Sequence, residues 1–536
     1  MFKKVFTRIA CLLLVLIAVG GLLTACTKQE QAIADLPETT DNYRTYYQIF
    51  PYSFADSNGD GKGDLQGIID NLDYIAGLNF DGIWLTPVHQ STSYHKYDVI
   101  DYKSIDKEFG TMEDYDKLVE ECHKRGMSVL LDLVINHTSS KHEWFDYCLT
   151  AHKRDNTTDR YYNYYNFEKT SNPRNGWASA GGGWAYEAQF WDQMPDLNWK
   201  EVLDHPDGYL ANDLKEVMRF WLIDHKVDGF RLDAVSQFFT GDSQGNRKAL
   251  KWINDTAKSI KSDCYIVGEG PWDGTAYTYY DSGADSFFLF NHGFTGGGSI
   301  SMAARTENVE WFTDIDKENK ARIGEKQIPA MFVSNHDVAR AYGILQGGVD
   351  VNNMKLGYGV MAMCEGATFW YYGDEVGMNV FTNAAGDVID ENRRQPMPWG
   401  NSYTCTPVKG TTAVADSVKY PFGDVPTNLA DANSLVNYIA RANALRRAFP
   451  QIARNYGEVL FKSTDDYVAL IQKGEGENAI YIAVNVAHGF DIPLDLTEFG
   501  NFQLAATLSV DVNNMPTLSK GKLNLPAMSF AVLRKV

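Results

Sequence analysis

The chain has 536 residues, 44% of them hydrophobic and 22% charged, so it is too long for one ordinary domain and too apolar for a disordered one. Its 69 acidic side chains outnumber 49 basic ones, and the net charge of -20 argues against nucleic acid or an anionic lipid surface as the binding partner. Aromatic residues make up 13%, which suits a groove that stacks sugar rings as well as an aromatic core.

At the N-terminus, Lys3, Lys4 and Arg8 form a basic head, followed by the apolar run Ile9 to Leu23. That run is shorter than the roughly 20 residues of a membrane helix and reads as a signal peptide. It ends in Leu23-Thr24-Ala25-Cys26, which resembles a bacterial lipobox. Residues 1–25 are then removed and Cys26 carries the lipid. Residues 26–41 are polar without apolar periodicity and read as a tether. The expected location is extracytoplasmic, with the chain lipid-anchored to the bacterial cell membrane. Beyond Cys26 the cysteines are Cys122, Cys148, Cys264, Cys364 and Cys405, odd in number and widely spaced, which is no disulfide framework. Neither CxxC nor HExxH occurs, so the sequence carries no ordinary zinc signature.

From Thr45 onward, short apolar runs alternate with amphipathic stretches of helical period. Eight strands are expected: Thr45–Ser53, Phe80–Pro87, Ser128–His137, Gly229–Val235, Tyr265–Glu269, Ser286–Phe290, Pro329–Asp337 and Thr368–Glu375. Helices are expected over Met112–Arg125, Asp213–His225 and Lys248–Lys261. This alternation predicts an α/β fold, a closed (β/α)₈ TIM barrel. Its first part runs over 42–137 and its second over 205–454. Residues 138–204 lack the barrel period and are rich in Tyr, Asn, Gly and Trp; they read as a subdomain inserted after strand three. After the helix Ser434–Arg447, alternating runs such as Tyr467–Gln472 predict a C-terminal all-β sandwich over 455–536.

The loop Asp56-Ser57-Asn58-Gly59-Asp60-Gly61-Lys62-Gly63-Asp64 sets Asp56, Asn58, Asp60, Lys62 and Asp64 at every second position. It is similar to an EF-hand loop up to its ninth position, but Gly67 stands where the twelfth-position Glu belongs. A hard cation, Ca2+ or Mg2+, is the expected occupant. No organic cofactor is implied.

Polar residues recur at strand ends, where a barrel places its chemistry. Four stretches stand out: Asp132 to His137, Gly229-Phe230-Arg231-Leu232-Asp233, Val267-Gly268-Glu269, and Phe332 to Asp337. A charge inside an apolar strand is costly unless paired or used. Arg231 and Asp233, two apart, share a face, and the arginine is expected to keep Asp233 ionised. Asp233, Glu269 and Asp337 end strands four, five and seven. A retaining glycosidase needs two such carboxyls, one as nucleophile and one as acid/base.

These motifs, in this order on successive strands, resemble glycoside hydrolase family 13, the α-amylase family. The resemblance covers nearly the whole mature chain. It implies Asp233 as nucleophile, Glu269 as general acid/base and Asp337 as transition-state stabiliser. Arg231, His137 and His336 match the family's sugar-binding positions. Tyr97 and Asp98 match its Tyr-Asp pair near the cleaved ring, with Tyr97 stacking on it. Met194-Pro195-Asp196-Leu197-Asn198 looks intermediate between oligo-1,6-glucosidase and neopullulanase versions of a further motif. Arg394, in Arg394-Gln395-Pro396-Met397-Pro398-Trp399, follows strand eight as in oligosaccharide-cleaving members.

Ser236 and Gln237 stand where many α-amylases have Lys and His, which leaves calcium between barrel and insertion without its usual partners. Ala234 follows Asp233, where members acting on α-1,6 bonds often have Val; this leans towards α-1,4 bonds. The resemblance implies an α-amylase hydrolysing α-1,4 bonds in starch and maltooligosaccharides. The alternatives are an α-glucosidase or oligo-1,6-glucosidase, in which an Asp98–Arg394 pair would block the pocket, and a non-catalytic glucan-binding lipoprotein. No nucleic-acid partner is expected, and the chain is expected to be a monomer.

Overall fold

The computed structural model describes residues 36–293, 297–324, 327–400 and 402–536; the expected signal segment, Cys26 and the tether up to residue 35 lie outside the described residues. Among the described residues, no helix is long and apolar enough to cross a membrane.

Eight strands close into a barrel: β1 (Thr45–Ile49), β2 (Gly82–Leu85), β3 (Ser128–Leu133), β4 (Gly229–Leu232), β5 (Tyr265–Gly268), β6 (Ser286–Phe288), β7 (Ile328–Phe332) and β8 (Ala367–Tyr371). Each pairs in parallel with its sequence neighbours, and β8 pairs with β1. The strands are apolar on both faces because both are covered. One face points outward into the layer shared with the helices. The other fills the barrel with Tyr46, Trp84, Leu130, Tyr265, Val267, Phe288, Phe332 and Phe369. Tyr46 lies between Tyr265 and Phe369, with ring centroids 5.8 and 4.8 Å away. The barrel is therefore a packed core, and the catalytic cavity expected of such a fold lies above it, at the carboxyl ends of the strands.

All eight expected strands are present, but they end earlier than the apolar runs do. Ser128–His137 stops pairing at Leu133, and Pro329–Asp337 at Phe332. The polar residues at those ends are loop residues, free of the pleat. The expected helix Asp213–His225 also differs. Helix α1 (Tyr209–Arg219) starts four residues earlier and passes into a π-turn, Phe220–Asp224. The wide turn lets Trp221 bury completely, donating to the Tyr102 carbonyl at 2.8 Å, while His225 packs on Phe220.

Between β3 and β4 the chain forms a small antiparallel sheet of Phe167–Lys169, Trp177–Gly181 and Trp184–Glu187. Isolated bridges His137–Asp196 and Tyr165–Leu197 fasten this region to the end of β3. Trp199, fully buried, adds an indole hydrogen bond to the Ile135 carbonyl at 3.0 Å.

The C-terminal region is all β. One sheet orders Gly457–Lys462, Val468–Lys473, Ile480–Asn485, Ser529–Lys535 and Phe502–Ser509; the other orders Ile492–Asp495, Lys522–Leu525 and Thr517–Ser519. A buried ion pair, Lys473–Asp316 at 2.7 Å, links it to the barrel's helical layer. Residues 36–41, read from sequence as the end of the tether, are held instead. Thr39 bonds the Asp81 carboxylate, and Asp41 pairs with Arg454 at 2.6 Å.

Candidate active site

Strand register builds the site. Asp132 on β3 and Arg231 on β4 are direct partners, both fully buried and pointing into the mouth of the barrel. Arg231 Nη1 donates to Asp132 Oδ1 at 2.8 Å and to Asp233 Oδ1 at 2.7 Å. Its Nη2 donates to Glu269 Oε2 at 2.7 Å. One guanidinium thus holds three carboxylates, two of them at the ends of β4 and β5. The buried cation needs those partners, since an unpaired one would be very costly there.

Arg231 is the cation expected beside Asp233, and it serves two further acids as well. Burial pushes the Asp233 carboxyl well above the usual carboxylate range; Arg231 pulls it down, and Glu269 and Asp132 push it up again. The single positive charge of Arg231 is divided among Asp132, Asp233 and Glu269. Burial likewise raises Asp132, against the pull of Arg231.

Asp337 is in the opposite condition. Burial pushes it up, but His336 at 2.9 Å and Arg394 at 2.9 Å outweigh burial and hold it well below the usual range. His336 Nδ1 is bonded to Gln48 at 2.7 Å, and its Nε2 lies 2.6 Å from the Tyr97 hydroxyl. Tyr97 also donates to Asp132 at 3.0 Å, with its ring parallel to that of His336 at 5.5 Å. His137 is buried, and burial lowers its pKa to about 4, so it is neutral at pH 7.

The cavity above these groups measures about 750 Å³ and is lined by Tyr97, His137, Asp233, Glu269, Asp337 and Arg394 among the expected residues. Arg231 and His336 lie beneath it as supports. Asp98 is not brought to it. Burial raises its carboxyl, but four hydrogen bonds from Ser91, Ser93 and Thr92 outweigh that and hold it below the usual range. Asp98 shapes the loop at 91–93 and does not touch the cavity. No ion pair joins Asp98 to Arg394 among the described residues; Arg394 pairs with Asp337 and, at 3.4 Å, with Asp390.

Sequence reasoning missed several residues. Asp132 sat inside a quoted motif without a role, although the rule applied to Arg231, a charge in an apolar strand, applies equally to it. Trp272, three residues after Glu269, donates its indole N–H to Glu269 Oε1 at 3.1 Å and stacks on Phe290. Phe190 and Trp191, from the insertion, line the cavity while 52% and 48% exposed. Only the Tyr-, Asn-, Gly- and Trp-rich composition of residues 138–204 hinted at them. Ala234 has φ +47, a left-handed conformation unusual for a residue with a side chain, and its N–H donates to Glu269 Oε2 at 3.2 Å.

The Asp56–Asp64 loop offers oxygen donors throughout, which suits a hard cation. Asp56 accepts from the Asn58, Gly59 and Gly61 amides, and Asp64 from Ser57, Asn58 and Gly67. The Lys62 side chain turns away to Glu108, so only its carbonyl is available as a ligand. Among the described residues no three His, Cys, Asp or Glu side chains are gathered to hold a metal, and Asp60 stays exposed.

Residues 48–455 match the family model described as the α-amylase catalytic domain. The chain is 37% identical over 355 residues to "Alpha-amylase 3" of Dictyoglomus thermophilum, covering 66% of this chain and 67% of that protein. It is 28% identical over 516 residues to an oligo-1,6-glucosidase of Parageobacillus thermoglucosidasius, covering 82% and 89%. Among solved structures it resembles Eubacterium rectale Amy13B, with 33% identity, a TM-score of 0.85 and coverage of 95% and 98%. It also resembles the α-amylase from H. orenii, with 30% identity, a TM-score of 0.74 and coverage of 92% and 100%.

Proposed function

This chain belongs to the α-amylase family of glycoside hydrolases, and from that premise we propose that it is a retaining α-amylase acting on α-1,4 bonds in starch and maltooligosaccharides. The observation that carries the reading is Arg231 bridging Asp233 and Glu269 under an aromatic-walled cavity. Two carboxyls held by one guanidinium favour the spacing of retaining enzymes, about 5 Å, over the 6.5–9.5 Å or so of inverting ones.

In this reading Asp233 attacks the anomeric carbon while Glu269 gives its proton to the leaving glycosidic oxygen. A covalent β-glycosyl-enzyme forms. Glu269, now a carboxylate, takes a proton from water, which attacks the same carbon and frees Asp233. Asp233 must react as the carboxylate, and Glu269 must carry the proton that it gives to the leaving oxygen. Asp337, kept ionised by His336 and Arg394, and neutral His137 suit hydroxyls of a distorted sugar ring.

The missing Asp98–Arg394 pair and the exposed walls of Phe190, Trp191 and Trp272 support an open groove that admits a long chain. The test is the product pattern on soluble starch and maltoheptaose. Mixed short oligosaccharides with rapid loss of iodine staining are expected. Glucose alone would favour the α-glucosidase or oligo-1,6-glucosidase reading; no product, as from an Asp233→Asn control, would favour a binding protein.

Two further readings accompany this one. The loop would hold Ca2+ or Mg2+ through Asp56, Asn58, Asp60, Asp64 and the Lys62 carbonyl, as a brace between β1 and β2. The basic head, apolar run and Cys26 support an extracytoplasmic lipoprotein. Incorporation of labelled palmitate, abolished in Cys26→Ser, tests the anchor.

A further inference from the structure

A second cavity, of about 540 Å³, lies between the inserted sheet and the loop that follows β4. Its walls carry the half-buried rings of Tyr162, Trp177, Trp184 and Phe239, with the amides of Asn163 and Asn166 beside them. Half-exposed flat rings interleaved with amides are the chemistry that recognises a pyranose, whose faces are apolar and whose edge is a ring of hydroxyls. Arg174 over Trp177, at 4.2 Å, and Lys169 over Trp184, at 5.5 Å, fix the two indole planes. His152, 5% exposed, also lines the cavity; its Nε2 lies 2.9 Å from the Tyr162 carbonyl, while its Nδ1 has no hydrogen-bond partner among the described residues.

The position matters as much as the lining. Segment 234–242 borders both cavities: Ser236 and Gln237 line the catalytic one, Phe239 and Thr240 this one. The insertion does the same, with Phe190 and Trp191 on the first and Trp184 and Glu187 on the second. The two cavities are neighbours on one rim. We propose that the second cavity is an α-glucan-binding site, which holds a stretch of the same long substrate chain beyond the residues being cleaved. This rests on the starch-type substrate proposed above, and goes beyond it in separating long-chain from short-chain recognition.

Trp177→Ala removes a ring at the cavity edge, and Asn163→Ala, at an exposed position, removes an amide without threatening the fold. Hydrolysis is measured on maltotriose and on amylose, and starch binding by retardation in gels containing soluble starch, which needs no catalysis. The expected result is a five- to tenfold loss of kcat/KM on amylose for Trp177→Ala, with a smaller loss for Asn163→Ala. Activity on maltotriose changes less than about twofold, and retardation weakens in both variants. Equal losses on both substrates, or retardation unchanged in both variants, would overturn the site. A wild-type protein that is retarded but cleaves nothing, with retardation weakened in the variants, would sink the hydrolase reading while leaving the second site standing.

Discussion

Asp132 and Arg231 face each other in register on adjacent strands, and the guanidinium nitrogen that touches Asp132 at 2.8 Å also touches Asp233 at 2.7 Å. Asp132 never reaches the cavity, yet it decides where Arg231 points. Asp132→Asn keeps the shape and removes the charge. Breaking a buried pair on one side costs about 3–5 kcal/mol. The expected outcome is a clear drop in melting temperature together with a fall in kcat and little change in KM. A variant with wild-type stability and activity would remove Asp132 from its positioning role.

Two of the contacts of Trp272 can be separated. Trp272→Phe keeps a flat ring against Phe290 and loses the N–H that binds Glu269 Oε1. A hydrogen bond contributes roughly 0.5–1.5 kcal/mol net, so kcat should fall about two- to tenfold, with KM little changed. Trp272→Ala loses the ring as well and should also raise KM. Steady-state kinetics on maltotriose check both.

The left-handed Ala234 stores strain of about 1–2 kcal/mol beside the nucleophile. Ala234→Gly should raise the melting temperature slightly and lower kcat, because the amide that donates to Glu269 becomes less fixed. Ala234→Val, β-branched at positive φ, should be the less stable of the two. If the glycine variant is both more stable and fully active, the strained geometry plays no part in catalysis.

Burial lowers His89 and His137 to about 4 and His142 to about 3. Each folded pKa lies below the unfolded value of about 6.5, so the unfolded chain binds more protons and stability falls as pH drops from about 6.5 towards 4. Between pH 7 and pH 5 each such histidine costs about 2 kcal/mol. Urea unfolding at the two pH values should show this loss, and His89→Gln should reduce it by one histidine's share. An unchanged pH dependence would mean that His89 is protonated in the folded state.

The cation reading predicts that Ca2+ raises the melting temperature of the wild-type protein and that a chelator lowers it, by binding the folded state alone. Asp60→Ala should remove most of the calcium response. Equal responses in both proteins would place any bound ion elsewhere.

The order of strands was legible because a barrel strand buried on both faces must be apolar throughout, and eight such runs stand out against helical period. The carboxyls at their ends were legible for a related reason: a charge beside an apolar run is expensive and so signals use. Strand ends were not legible. Ile135 and Val333 continue an apolar run but make loop contacts, because closure of the barrel, and not hydrophobicity, decides where pairing stops.

What the sequence determined by itself was the barrel and the carboxyls that stand at its strand ends, since these follow from periodicity and from the cost of burying charge; the roles of those acids came from the resemblance. Only the tertiary structure decided how the charges are shared. Arg231 could have served Asp233 alone; register with β3 and proximity to β5 divide it among Asp132, Asp233 and Glu269. Asp98 and Arg394 were compatible partners on paper, but the short loop at 91–93 satisfied Asp98 locally and left Arg394 to Asp337. A charge-assisted hydrogen bond is made only within about 3 Å, so partner choice depends on distances between strands that no linear spacing encodes.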